Sequence, residues 1–501
     1  MHMGTMDASS SLHAAQDQER SLSGYRAQMP LNHDVLCLIA SSLPISDLLS
    51  MMRTCRDIHA FGVGRLLSSG IHLRNNAIAG FCRFVLRDAH TRLPALRKLS
   101  FSIDAYTYCA PDANSLTPSI DLLIQLLSQA SQLHTLSISH FADLVQLGSQ
   151  RMVSSFSGLF GLKVLCVHDV DVNGREVFHH MHQLTSVEVH FSTFDEVDPL
   201  PMFASSSATL EVLRVLRCSF RQLTTVQFSG VGVLQLDPSD YVEAAPLLEA
   251  FPNLHTLQTV AARIPSDYPS RLQAFHEGNH VFHTRRSWTQ LRAVKGDIIS
   301  LYALALVHPV RSLSIARSQR NNPRITPDIF SVVLSSLRPS HLAVDLDTSD
   351  FNFETYCTIP DVVQGVTHFS VRLVSSGYTG STLLTLFKSV IVTHLVIEIL
   401  IYGSRASLFL YDNTRPSLVG MSQESFVGLL ATSITALQFI AIRRGDGTSM
   451  YWSVARRNGI ATSETLSDAD GRRIMETEDL TFWDPPLSRE NEAEASRYWL
   501  A

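Results

Sequence analysis

The sharpest chemical pattern in the sequence is His276-Glu277-Gly278-Asn279-His280, with His283 three residues further on. Two histidines one helical turn apart could hold a zinc ion while the glutamate between them activates a bound water. Gly278 and Asn279 are poor helix formers at the centre of that turn. The chain holds 21 histidines, so the expectation is a chance match on a surface helix or loop. His179, His180 and His182 read as alternating loop histidines. Gly377 to Thr382 is rich in glycine and hydroxyls but lacks the lysine that would reach a phosphate, and no G-x-S-x-G elbow is present. The seven cysteines, Cys37, Cys55, Cys82, Cys109, Cys166, Cys218 and Cys357, are widely spaced and form no CxxC. They read as small apolar core residues of a protein in a reducing compartment, not as a disulfide framework or a zinc knuckle. No catalytic residue, metal ion or cofactor is expected, and the chain is not read as an enzyme.

The elements that would carry such residues are set by length and composition. At 501 residues the chain exceeds the size of a single core, which implies several domains or a repeat array. The apolar fraction of 45% can bury a large core, and a net charge of -6 provides no basic field for nucleic acid. The arginine pairs Arg285-Arg286, Arg443-Arg444 and Arg472-Arg473 are not interleaved with aromatics and read as solvated surface. Residues 1–28 are polar, lack the apolar core of a signal peptide and are expected to be disordered. The stretch Val390 to Tyr402 is too short for a membrane span and carries His394 and Glu398, so it reads as a buried strand with its flanks. A soluble protein of the cytoplasm or nucleus, without membrane contact, is expected.

The first patterned segment spans residues 29–72. Leu31, Val35, Leu36 and Ile39 recur at helical spacing behind Asn32 as a cap, and Leu43-Pro44 breaks that helix. Ser46 and Asp47 offer a new start ahead of Leu48, Leu49, Met51, Met52 and Cys55. A third run, Ile58, Phe61, Val63, Leu66 and Leu67, is loosened by Gly62 and Gly64. Three short helices with broad apolar faces fit a unit that packs against a partner, or else a cap on the domain that follows.

The run Leu31-Asn32-His33-Asp34-Val35-Leu36, with Ile39, Leu43, Asp47-Leu48, Met51, Thr54-Cys55-Arg56 and Ile58, resembles the F-box family. The family's usual proline is replaced by Asn32, and its frequent later tryptophan is missing. The resemblance implies docking onto a Skp-type adaptor in a cullin complex of ubiquitin ligases, through Leu31, Val35, Leu36, Ile39, Leu43, Leu48, Met51 and Cys55. It also implies that the rest of the chain selects a protein substrate.

After a connecting helix over 73–92, with Ile78, Phe81, Phe84, Val85 and Leu86 on one face, a repeated unit takes over: apolar, two residues, apolar, one residue, apolar. Leu96, Leu99 and Phe101 are the first copy; Leu210, Leu213 and Val215 are typical; Ile434, Leu437 and Phe439 are the last. Helix-like stretches such as Ile120 to Leu127 alternate with these copies. The reading is an α/β fold: a three-helix F-box followed, over 93–442, by an irregular leucine-rich-repeat solenoid, with a cap and acidic tail over 443–501. The solenoid resembles the divergent repeats of fungal F-box proteins. Strand residues alternating with the buried ones, among them Lys98, Glu188, His190, Arg214, Lys295 and Asp297, are the substrate-facing candidates. Without the F-box role, the same chain would be a repeat scaffold for protein interactions unconnected to ubiquitination.

Overall fold

The computed structural model describes residues 32–103, 117–192, 197–220, 226–238, 241–259, 268–316, 327–346, 365–373, 384, 387, 390–399, 417–418, 421–444 and 448–480. Helix α1 (His33–Ser42) begins where the sequence places its cap, with the Asn32 side chain accepting the Asp34 N–H at 3.2 Å. Leu43 ends it in an extended conformation. Helix α2 (Ile45–Met51) is entered through Pro44 rather than capped by Ser46. The proline fixes its own φ near the helical value, and the Ser46 hydroxyl turns to Asp47 Oδ1 at 3.2 Å. Helix α3 (Arg56–Ser69) runs unbroken through both glycines. Gly62 tightens the packing instead of loosening it: a Cβ there would lie 2.4 Å from Met52 Cγ. Arg65 then fastens α3 to the end of α1, donating to the carbonyls of Ala40 and, at 2.8 Å, Leu43.

The parallel sheet starts earlier than the repeat pattern suggested. Strand β1 (Ile71–Arg74) pairs in parallel with β2 (Lys98–Ser102), so α4 (Asn75–Leu86) belongs to the first strand–helix unit and is no mere connector. Ile78, Cys82 and Val85 form its buried face. Phe84, placed on that face by spacing, is exposed and lies 4.0 Å beneath the Arg92 guanidinium.

Strands β3 (Thr135–Ser139), β4 (Val164–Val170), β5 (Ser186–Phe191), β6 (Val212–Cys218) and β7 (Val233–Pro238) follow in order. Then come β8 (Thr256–Thr259), β9 (Ala293–Asp297), β10 (Ser312–Ala316), β11 (His341–Leu346), β12 (His368–Leu373) and β13 (His394–Ile399). A small separate hairpin, β14 (Ser417–Leu418) with β15 (Met421–Ser422), precedes β16 (Phe439–Arg444). Among the described residues sixteen strands form one sheet in chain order; pairing is parallel as far as β16, while β17 (Ser449–Arg457) and β18 (Ile460–Thr465) close it antiparallel.

One register runs through the array. Leu99 pairs with Leu136, Leu136 with Leu165, and the row continues through Leu213, Val294 and Leu395 to Ile440. These side chains are buried against helices on one side of the sheet, each contributing about 2 kcal/mol of apolar burial that no single repeat could supply alone. Phenylalanines bridge the repeats behind that row, with centroids of Phe141 and Phe178 6.0 Å apart and of Phe178 and Phe203 5.5 Å apart. The final copy is shifted from its expected phase. Ile440 and Ile442 occupy the core positions, while Phe439 pairs with His394 on the opposite face. Two apolar triplets overlap there, Ile434/Leu437/Phe439 and Leu437/Ile440/Ile442, and strand register selects the second.

Candidate docking and recognition surfaces

The N-terminal helices have a small core of their own: Ala40, Leu48 and Met52, with Leu43, Met51 and Phe61 packed against it. Leu48 was expected on a docking face and is instead fully buried. It lies on the side of α2 that meets α3, since Leu48 and Met52 are one helical turn apart. Leu43 and Met51 are half-buried, as are Leu36 and Cys55, and Leu31 lies outside the described residues. Val35 and Ile39 are each 40% exposed. Beside them stand Leu38 at 71%, Ile45 at 55% and Leu49 at 47%. Leu38, Ile45 and Leu49 lie outside the docking positions that the F-box resemblance implies, although Leu38 follows Val35 at helical spacing. An apolar face this bare on so small a unit is a feature of protein contact sites.

The second surface is the sheet face opposite the core helices. Lys98 is exposed there, and Lys295 is half-buried between Gln258 and Ser314 in the strand register. Asp297 does not belong to this surface. Strand β9 passes directly into a helix (Ile298–Leu304), and the buried Asp297 carboxyl caps it, accepting the N–H groups of Ile299 and Ser300 at 3.1 Å each. Burial raises its pKa against the lowering effect of those bonds.

Glu188, His190 and Arg214 do come together. Glu188 forms an ion pair with Arg214 Nη1 at 3.5 Å and lies 3.2 Å from His190 Nε2. The His168 ring packs on His190 with centroids 4.0 Å apart, and His168 Nε2 lies 3.2 Å from Cys166 Sγ. Cys166 is therefore a member of this polar cluster and not a core residue, unlike Cys82 and Cys218. Burial pushes its thiol up to about 12, which keeps it protonated and unreactive. Burial, reinforced by His190, drives His168 down to about 4. For Glu188 burial acts upward, but the His190 hydrogen bond and the charges of His190, His168 and Arg214 hold it below the usual carboxylate range. The cluster offers a polar donor–acceptor patch around the Glu188–Arg214 ion pair, a chemistry suited to recognising a polar protein segment. No sequence spacing reveals it, because its members sit on three successive repeats.

The HExxH segment lies on a helix (Tyr268–Arg285) that Gly278 and Asn279 do not interrupt. Asn279 is buried and binds three backbone groups, accepting from Ala244 N at 2.8 Å and donating to Val242 O at 2.9 Å and Ala303 O at 2.8 Å. His276 contacts the Tyr302 carbonyl at 2.7 Å and stacks on its ring, so the motif joins repeats. His179 and His180 form the end of a 3-10 helix (Asn173–His180) and His182 follows it; all three are exposed.

Over β11 to β17 the same sheet face is covered. Helix α5 (Asp468–Thr477) and the residues after it pack Met475 and Leu480 onto Val396, Phe439, Ala441 and Tyr451. No helix among the described residues is long and apolar enough to cross a membrane. No family model matches the chain, and no curated protein matches it either.

Proposed function

We propose that the chain is a substrate-recognition adaptor of a cullin–RING ubiquitin ligase. The N-terminal helices dock onto a Skp-type adaptor, and the uncovered sheet face binds a protein substrate. The observation that carries this reading is the apolar face of Val35, Leu38, Ile39, Ile45 and Leu49, left open by helices whose own core is satisfied without it. Helix-in-groove recognition buries such a face, and the F-box-like run from Leu31 to Ile58 names the partner. Substrate contact falls to Lys98, the Glu188–His190–Arg214 cluster and Lys295.

The test is co-purification with a Skp-type adaptor. Leu36→Ala with Ile39→Ala is expected to abolish it while the solenoid keeps its melting transition; unchanged recovery of the adaptor would rule the reading out. A second reading, a scaffold unconnected to ubiquitination, is favoured by one feature. Leu67 of α3 lies in the solenoid core and Val63 packs against it, as for a terminal cap. Under that reading, deleting residues 1–72 unfolds the solenoid and no Skp-type adaptor binds the intact chain.

A further inference from the structure

Three consecutive repeats carry a hydroxyl–histidine pair where the strand begins: Ser340-His341, Thr367-His368 and Thr393-His394. The histidines are in register across β11, β12 and β13. Their rings stack, with centroids 4.0 Å and 4.5 Å apart and planes within 10° of parallel. They lie on the sheet face that α5 and its C-terminal extension cover. We propose that His368, His394 and Glu478 bind one divalent transition-metal ion of the zinc class, which latches the C-terminal extension onto the sheet.

The hydroxyls set the orientation of the rings. Each lies near two groups: Nδ1 of its own histidine, at 2.9, 2.7 and 2.9 Å in chain order, and a backbone carbonyl of the preceding repeat. Those carbonyls are Arg311 O at 3.1 Å, Ser340 O at 3.2 Å and Thr367 O at 2.9 Å. A carbonyl can only accept, whereas a ring nitrogen can take either role. Both contacts are satisfied only when the hydroxyl donates to the carbonyl and accepts from Nδ1–H. A neutral imidazole then presents its Nε2 lone pair to the covering segment.

What meets those lone pairs is also an acceptor. His341 Nε2 lies 3.2 Å from the Glu478 carbonyl oxygen, and His368 Nε2 lies 3.3 Å from Glu478 Oε2. At His368 the facing acceptor is a carboxylate, and a cation bound to both atoms would satisfy the pair. One ligand atom from each of His368, His394 and Glu478 lies within 4.8 Å of the other two. Tilting the rings toward each other closes that spacing to tetrahedral contacts of about 2.0–2.2 Å. Two imidazoles and one carboxylate select a zinc-class ion over calcium or magnesium, which prefer all-oxygen sites. The Thr367 and Thr393 hydroxyls act as the outer groups that orient ligating histidines. Glu478 is 41% exposed and leaves an entry path. The neighbouring charged pair, Arg311 with Asp479 at 3.7 Å, is balanced.

The Cys166–His168–Glu188 group has similar spacing but differs in its neighbours, because Arg214 already neutralises its carboxylate. The latch makes a prediction for the full chain, stripped with a chelator and titrated with cobalt(II) or zinc(II). One equivalent of cobalt is expected to bind with visible absorption bands, and zinc is expected to slow amide exchange over residues 468–480. His394→Ala and the surface change Glu478→Gln should each weaken binding more than about 100-fold, and Thr393→Val about 10- to 100-fold. His341→Ala should retain the full equivalent. Binding unaffected by Glu478→Gln would overturn the proposal, as would a chain that takes up no metal and whose extension responds to acid alone.

Discussion

The two ends of the long sheet solve the same problem in opposite ways. A repeat array exposes an apolar edge at each terminus, and something must cover it. At the C-terminal end the chain turns back: β17 and β18 close the sheet antiparallel, and Met475 and Leu480 are buried on Phe439 and Tyr451. At the N-terminal end α3 contributes Leu67 to the core, but α1 and α2 add an apolar surface that stays exposed among the described residues. Capping explains the first arrangement completely and the second only in part. The surplus at the N-terminus is what points to a partner.

The comparison can be broken most directly at Leu480. Leu480→Ala removes a fully buried anchor of the C-terminal cover and is expected to cost about 2–5 kcal/mol locally. Amide exchange over 468–480 reads that loss, and exchange over 33–69 should not change. The opposite result is expected at the other end. Leu38→Ala with Ile39→Ala should leave stability within about 0.5 kcal/mol, yet weaken adaptor binding by about 2 kcal/mol or more, near thirtyfold, in a titration. A stability loss equal to that of Leu480→Ala would mean that both ends are simply caps.

A smaller effect is expected from Arg65→Met, which removes the charged hydrogen bonds to Ala40 and Leu43. About 1.5 kcal/mol should be lost from the N-terminal helices, seen as a lower melting point of residues 32–70 relative to the solenoid. A separate effect is expected on pH. Burial lowers His168 and His283 to about 4 in the folded solenoid. The unfolded chain then binds more protons as pH falls below about 6.5, so stability is full above that value and declines toward pH 4. Denaturant melts at pH 7.5 and 5 should show the solenoid weakened, and His283→Asn, if it folds, should reduce that slope.

The strand–helix alternation of the α/β sheet was legible because burial repeats with a fixed unit that short-range reading can detect, as at Leu133, Leu136 and Ile138. The β11 repeat escaped because Pro339 occupies an expected apolar position, although Leu342 sits in the core row. Phe439 was assigned to the wrong face because overlapping triplets are equivalent until a neighbouring strand fixes the register. The polar surfaces were the least legible. Strand alternation identified Glu188, His190 and Arg214 as facing outward, but Cys166 joins them only through stacking of repeats. Glu478 reaches His368 across 110 positions of sequence. Asp297 shows the converse failure, since a helix beginning at the very next residue claimed its side chain.

The continuous core row has a consequence for reach. Neighbouring strands are spaced about 4.8 Å apart, so position along the chain becomes distance from the N-terminal helices in uniform steps. The Glu188 cluster on β5 stands four steps from β1, about 19 Å, while the histidine stack ends on β13, twelve steps and about 58 Å away. For an adaptor, the repeat that grips a substrate would therefore set how far it is held from the modifying machinery. Removing one whole repeat between α3 and β5 would shorten that span by a single strand spacing without altering the grip.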